Sequence, residues 1–234
     1  MPVRGVRRGW CVVDVVQRAG VTGLAVILAV VFAPAAAAAS PSAGVPLREA
    51  IVRLTVAAES REGYLRDKFR HWTDADRDGC STRAEVLIEE AVLAPAVGAR
   101  CTLTGGSWHS AYDDVYVADA ARLDIDHMVP LAEAWDSGAS AWTAQRRQAY
   151  ANDVDEPRAL IAVSAATNRS KADQDPREWL PPFVPGRCRY LVDWVAVKTR
   201  WSLSVDEAER LVLTELAAAC PNVPIDVAIV APSR

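Results

Sequence analysis

The sequence predicts a single α+β domain, richer in helix than in strand and fastened by disulfides. Three observations predict it. Apolar residues recur at helical spacing in several segments, the middle of the chain carries short alternating runs broken by glycine, and cysteines are spread through the chain behind an export-like N-terminus.

The elements follow in order. Arg4, Arg7, Arg8 and Arg18 precede an apolar run from Val21 to Phe32 and the small-residue stretch APAAAAAS. This is the pattern of a secretory signal over residues 1–39, cut near Ala39; it leaves residues 40–234 as a secreted domain without stable membrane association. An uncleaved anchor is the alternative, disfavoured by the short apolar run and its lack of a basic flank. Leu47, Ile51, Leu54 and Ala58, then Leu65, Phe69 and Trp72, predict one or two amphipathic helices between Val45 and Trp72. DADRDGC reads as an acidic loop, and STRAEVLIEEAVLA as a helix opened by the capping pair Thr82 and Glu85. From Thr102 to Asp126 a glycine turn separates short strands. Residues 130–152 predict helix with a break at DSGAS, and RALIAVS is a short buried strand. Ser164 caps a polar helix through AATNRSKADQD that Pro176 helps to stop. LVDWVAVKTRW and a last helix opened by Ser204 and Glu207 close the chain.

Of the five cysteines, Cys11 falls in the signal, which leaves Cys80, Cys101, Cys188 and Cys220. In an exported chain an even number implies disulfides. Pairing Cys80 with Cys101 and Cys188 with Cys220 closes the shortest loops; a zinc site is the alternative, without a C-x-x-C knuckle to support it. The net charge of −4 becomes more negative once the signal arginines are removed, so bulk charge will not coat nucleic acid. Phosphate must instead meet a local patch or a bound cation, and Arg169, Lys171 and Arg177 lie in one short segment.

Only three histidines are present, and one stands in LDIDHMVPL beside an aspartate at the end of a predicted strand. Alternation puts Asp124 and Asp126 on one face, Ile125 and His127 on the other. A base, a hard oxygen ligand and a cation are what phosphodiester hydrolysis needs: His127 can be the base and Asp126 a ligand for Mg²⁺. Taken alone the pair reads equally as a structural histidine bonded at a strand end. The second strand changes the balance, because it leads directly into a helix bearing Asn168.

Strand, loop, strand and helix, with Asp-His on the first strand and Asn on the helix, resembles the HNH or ββα-metal nuclease family. DIDHMVPL and NRSKADQDP look like the same elements in the HNH domain of CRISPR effector nucleases. From about Arg70 to Cys220 the chain resembles secreted actinobacterial HNH proteins, which are similar to the C-terminal domain of GmrSD-type restriction enzymes, where D-H-x-x-P replaces His-His. DHMVPLAEAWDSGA, NRSKADQDPREWLPP and CRYLVDWVAVKTRW carry that likeness. The resemblance implies a small ββα-metal core over residues 122–176, a divalent metal (Mg²⁺, or Mn²⁺) on Asp126 and Asn168, His127 as general base, Arg169 and Lys171 on phosphate, and Asp124 behind the metal-bound water. Many HNH proteins steady the histidine with an asparagine just before the second strand; DEPRAL has none, which passes the role to a backbone carbonyl or another residue.

Asp74, Asp76, Asp78, Gly79 and Glu85 match the spacing of an EF-hand calcium loop over residues 74–85. The other reading is an acidic turn whose Thr82 and Glu85 cap the next helix. His71 reads as a surface or packing residue, and His109 as remote from the cleft unless the glycine turn folds back. The sequence therefore predicts an exported, metal-dependent endonuclease acting on DNA with little sequence preference. Its rival is an exported calcium-binding interaction module with a decayed nuclease site; neither reading identifies a protein partner.

Overall fold

In the computed structural model, which describes residues 44–231, the chain forms mixed helix and sheet; the predicted signal lies outside those residues. The helices are α1 (Leu47–Arg53), α2 (Thr82–Glu89), α3 (Leu131–Asp136), α4 (Ala144–Ala151), α5 (Ala165–Lys171), α6 (Arg187–Trp201) and α7 (Glu207–Ala219). The strands are β1 (Val45–Pro46), β2 (Ala91–Leu93), β3 (Ala96–Val97), β4 (Leu103–Thr104), β5 (Ser107–Ser110), β6 (Val115–Val117), β7 (Leu123–His127), β8 (Leu160–Ser164) and β9 (Pro224–Ile225). They pair as small antiparallel sheets, β1 with β9, β2 with β5 and β5 with β6, β3 with β4, and β7 with β8.

β7 and β8 run in register from Leu123 opposite Ser164 to His127 opposite Leu160. Their alternation sorts the side chains as a period of two requires. Leu123, Ile125, Leu160 and Ala162 enter a smaller apolar cluster with Val86, Leu87 and Trp108. Asp124 and Asp126 face α5 instead, where they meet Asn168 and Lys171. Ser164 ends β8 and caps α5, its hydroxyl accepting from Thr167 N at 3.3 Å, so the strand passes into the helix without a loop. Gly138, at φ +114, makes the break between α3 and the following turn, a conformation that a side chain would strain.

The larger core gathers Trp194, Trp201, Tyr190, Tyr112, Phe69, Trp135 and Leu213 around α6. Inside it Lys198, fully buried, donates to Glu133 at 2.8 Å and Glu209 at 2.6 Å and thereby ties α3, α6 and α7 together. Burial lowers the pKa of this ammonium, but Glu209 and Glu133 outweigh it and hold the pKa above its ordinary value. Glu59 crowds the same site, its Oε1 buried without a donor among the described residues. Two disulfides clamp the domain, Cys80 to Cys101 and Cys188 to Cys220, with Cα separations of 5.0 and 5.5 Å, which is the pairing that loop length predicts.

Three elements depart from expectation. The predicted helices between Val45 and Trp72 shrink to α1 and one tight turn at Arg66–Lys68. Backbone groups of Thr55 and Ala57 bond to Val205 instead of to a helical ladder, and Leu65 is exposed while Phe69 is buried, so no common face forms. Thr82 is not a capping residue; its hydroxyl donates to the Thr73 carbonyl and meets Asn152. The final helix is capped by Asp206, which accepts from Glu209 N at 2.6 Å, two residues beyond the predicted Ser204.

Candidate functional site

The end of β7 and the first turns of α5 open onto a pocket of about 250 Å³ lined by Asp126, His127, Asn168, Arg169, Arg66 and Asp173, among others. The structure thus brings together the Asp, His and Asn singled out from the sequence, although they lie up to 42 residues apart. The arrangement follows from β8 running antiparallel to β7 and turning straight into α5.

His127 is 5% exposed and its ring sits in an aromatic enclosure. Trp72 lies 5.4 Å away between ring centroids, His71 6.2 Å and Tyr150 6.4 Å. Its Nε2 lies 3.0 Å from the carbonyl oxygen of Ala151. A carbonyl only accepts, so Nε2 carries the proton and Nδ1 is left with its lone pair. Burial drives the pKa of the ring down to about 3, against the opposing pull of that carbonyl, so it is neutral throughout the physiological range.

Ala151 can serve because it ends α4, where carbonyls have no intrahelical partner. The neighbouring Asn152 uses both ends of its amide. Nδ2 donates to the carbonyls of Arg70 and Gln148, while Oδ1 accepts from Thr73 N and the Thr82 hydroxyl. One helix terminus therefore orients the histidine and pins the turn that walls it. Trp72, in that turn, has φ 58, a left-handed backbone that a bulky residue adopts only when its surroundings hold it there. The group that orients the His127 ring is the backbone carbonyl of Ala151.

Asp126, 5% exposed, accepts at Oδ2 from the Tyr112 hydroxyl and from Lys171 Nζ, both at 2.6 Å. Burial pushes its carboxyl upward in pKa, opposed chiefly by Lys171. No donor among the described residues reaches Oδ1. Asn168 donates through Nδ2 to Asp124 Oδ2 at 3.3 Å, which turns its own carbonyl oxygen away, again with no protein donor. Two hard oxygens at one pocket are the donor set that a Mg²⁺-like ion accepts, so the residues present fit such an ion. Asp124 also lies 3.8 Å from Arg169 Nε.

Lys171 does not stand where it was expected. It is 0% exposed, beneath the pocket, donating to Asp126 and at 3.0 Å to the carbonyls of both His127 and Met128. A buried ammonium with three acceptors cannot greet a phosphate in solvent, so its assignment to substrate is corrected. The exposed cations at the pocket are Arg169, which also reaches Asp124, and Arg66, from the tight turn before Phe69, which the sequence reading passed over. Tyr112, Ala151 and Asn152 were missed as well; none carries a motif signal, since two act through contacts set by folding and one through its backbone.

In the acidic loop the three aspartates converge, and Glu85 is not among the converging carboxylates. Carboxylate oxygens of Asp74, Asp76 and Asp78 lie within 4.8 Å of one another, and Asp74 accepts from Gly79 N at 3.1 Å, with Gly79 at φ +96. Burial raises the pKa of Glu85, and the three aspartates add to it, so all four acids share one field. The helix expected ahead of the loop is replaced by the turn at Arg66–Lys68. His109 bonds Asp114 at 2.8 Å on the rim of β5, and does not line the pocket. A separate hollow beside α2 is lined by Glu85, Glu89, Glu90, Asp153 and Glu156, whose charge repels a phosphodiester.

Residues 94–216 match the family described as GmrSD restriction endonucleases, C-terminal domain. An uncharacterized secreted protein of Arthroderma benhamiae is 42% identical over 160 residues, which is 68% of this chain and 77% of that protein. No solved structure matches the chain. No helix among the described residues is long and apolar enough to cross a membrane.

Proposed function

The chain belongs to the family of GmrSD restriction endonuclease C-terminal domains, and from that premise we propose that it is an exported, metal-dependent HNH endonuclease that hydrolyses DNA phosphodiesters with low sequence specificity. One observation carries the reading: His127, fixed in a single tautomer by Ala151, opens onto the same pocket as Asp126 and Asn168. β7, β8 and α5 are then the ββα-metal core.

Asp126 Oδ1 and the Asn168 carbonyl would hold a divalent ion, Mg²⁺ or Mn²⁺. When bound, the ion neutralises charge on the phosphorane and on the leaving oxygen. His127 Nδ1 takes the proton of the attacking water. Its enclosure keeps bulk water from competing, though a pKa of about 3 makes it a weaker base than one matched to neutral pH. Arg66 and Arg169 hold the phosphate from either side of the pocket. Lys171 and Tyr112 fix Asp126 by its other oxygen, so that it presents one oxygen and not a swinging carboxylate. Asp124 steadies Asn168 through its amide.

The convergent aspartates favour a second, structural role for Ca²⁺ at Asp74, Asp76, Asp78 and Glu85 in the same protein. The pocket beside it speaks against a purely calcium-binding module. Plasmid nicking with and without EDTA tests the proposal: wild type should nick in Mg²⁺ or Mn²⁺ and stop in EDTA. His127→Ala, confirmed folded by circular dichroism, should lose roughly 10² to 10⁴-fold in rate. A variant that nicks at the wild-type rate in saturating metal would falsify the assignment.

A further inference from the structure

We infer that a second phosphate subsite adjoins the first, built by Arg70 and Arg77 on the far side of the His71 and Trp72 rings, and that the substrate backbone runs across both. The inference rests on the nuclease reading and extends it to the path of the bound strand.

Arg70, His71, Trp72, Thr73, Arg77 and Gln148 line a pocket of about 570 Å³, with Asp74 its one acidic member. It follows directly on the histidine, because the rings of His71 and Trp72 that line it are the ones packed against His127. Arg66 faces the first pocket and Arg70 the second, four residues apart across one tight turn. A strand crossing both pockets would meet Arg66 at one and Arg70 at the next.

The charges are available. Asp67, Asp74, Asp76 and Asp78 are neighbours in sequence, yet no carboxylate among the described residues lies within 4.0 Å of a nitrogen of Arg66, Arg70 or Arg77. All three arginines are exposed. By contrast Arg200 is buried on Asp153 and Arg158 is closed on Glu156. In a chain whose formal net charge is −4, three unpaired guanidinium groups on two adjoining pockets concentrate a local attraction for a polyanion.

The platform is also rigid. Asn152 bonds the carbonyl of Arg70 and the amide of Thr73, and Thr73 O accepts from Thr82 N and its hydroxyl. Arg70 therefore starts from a fixed backbone, and less ordering is left to be done on binding.

The test is the double variant Arg70→Ala/Arg77→Ala against wild type and Arg53→Ala, a remote exposed arginine on α1. Fluorescence anisotropy with a 20-base-pair duplex and with a single strand, in EDTA across a salt series, reads binding without cleavage. Loss of two phosphate contacts should lower the slope of log affinity against log salt by about 2 on the duplex and somewhat less on the single strand. In nicking assays KM should rise correspondingly, while Arg53→Ala matches wild type in both. A double variant with wild-type slope and KM overturns the subsite and leaves the nuclease reading standing. A wild-type protein that binds DNA but does not cleave it in any divalent metal sinks the nuclease reading and leaves the binding measurement to judge the groove.

Discussion

Replacing Lys171 by Met separates the buried lysine seen here from the surface phosphate contact that its sequence position suggests. The ammonium lies 2.6 Å from Asp126 Oδ2 and 3.0 Å from two carbonyls, with no exposure. Methionine fills the space but leaves a carboxylate buried against Tyr112 alone, and breaking one half of a buried pair costs about 3–5 kcal/mol. For a domain of this size that lowers Tm by roughly 10 °C, at 2–4 °C for each kcal/mol. Thermal unfolding followed by circular dichroism in EDTA, so that no metal compensates the carboxylate, measures it. The cycle with Asp126→Asn sharpens the result. Once the carboxylate is neutral the lysine has less to oppose, so the two losses should fall short of additivity by about 1–3 kcal/mol. Lys171→Met with a wild-type Tm and a reduced salt dependence of DNA binding would refute the reasoning and return the lysine to the substrate.

Other outcomes are expected. Ca²⁺ at a hundredfold excess over its dissociation constant should stabilise the protein by roughly 2.7 kcal/mol; Glu85→Gln should remove most of this, and equal melting of variant and wild type with and without Ca²⁺ would leave only an acidic turn. The cluster around Lys198 sets a pH dependence. Burial, then Glu133, raises the pKa of Glu59 to about 8, and burial raises that of Glu209 to about 7. Folded values above the unfolded one mean that the folded state binds more protons, so stability is fullest below about 4.5 and is lost as pH rises through 7 to 8. Glu59→Gln should flatten that fall in Tm between pH 5 and 8.5, with a modest size because Glu59 is only half-buried; an unchanged slope would exclude it as a contributor.

The parts of the fold that local chemistry dictates were legible. β7 announces itself by alternation, β8 as a short buried apolar run and Ser164 by its capping position, and with the family resemblance these point to Asp126, His127 and Asn168 at one pocket. Loop lengths gave the disulfide pairs. What local pattern does not encode was lost. The stripe Leu65, Phe69 and Trp72 has helical spacing, but backbone bonds of Thr55 and Ala57 to Val205, 150 residues and 148 residues away, remove the preceding stretch from any helix. On α5 the spacing of Asn168 and Lys171 placed both on one face, and the helix looked polar throughout. Thr167 and Lys171 form its buried side, because the charged end of Lys171 finds Asp126 under the sheet. A lysine satisfied in the interior looks in sequence like a lysine in water.

Ala151 and Asn152 are consecutive residues, and the first holds His127 while the second holds Arg70 and Thr73. The segment from Arg66 to Thr73 lies outside the stretch 94–216 by which the chain is recognised. A fragment trimmed to that stretch would keep the histidine and its carbonyl, yet strip away the indole and imidazole that roof it. It would leave Asn152 with dangling donors and acceptors, and Cys101 without its partner. On the proposed reading, the piece needed to complete the site is therefore longer than the piece that carries the family signature.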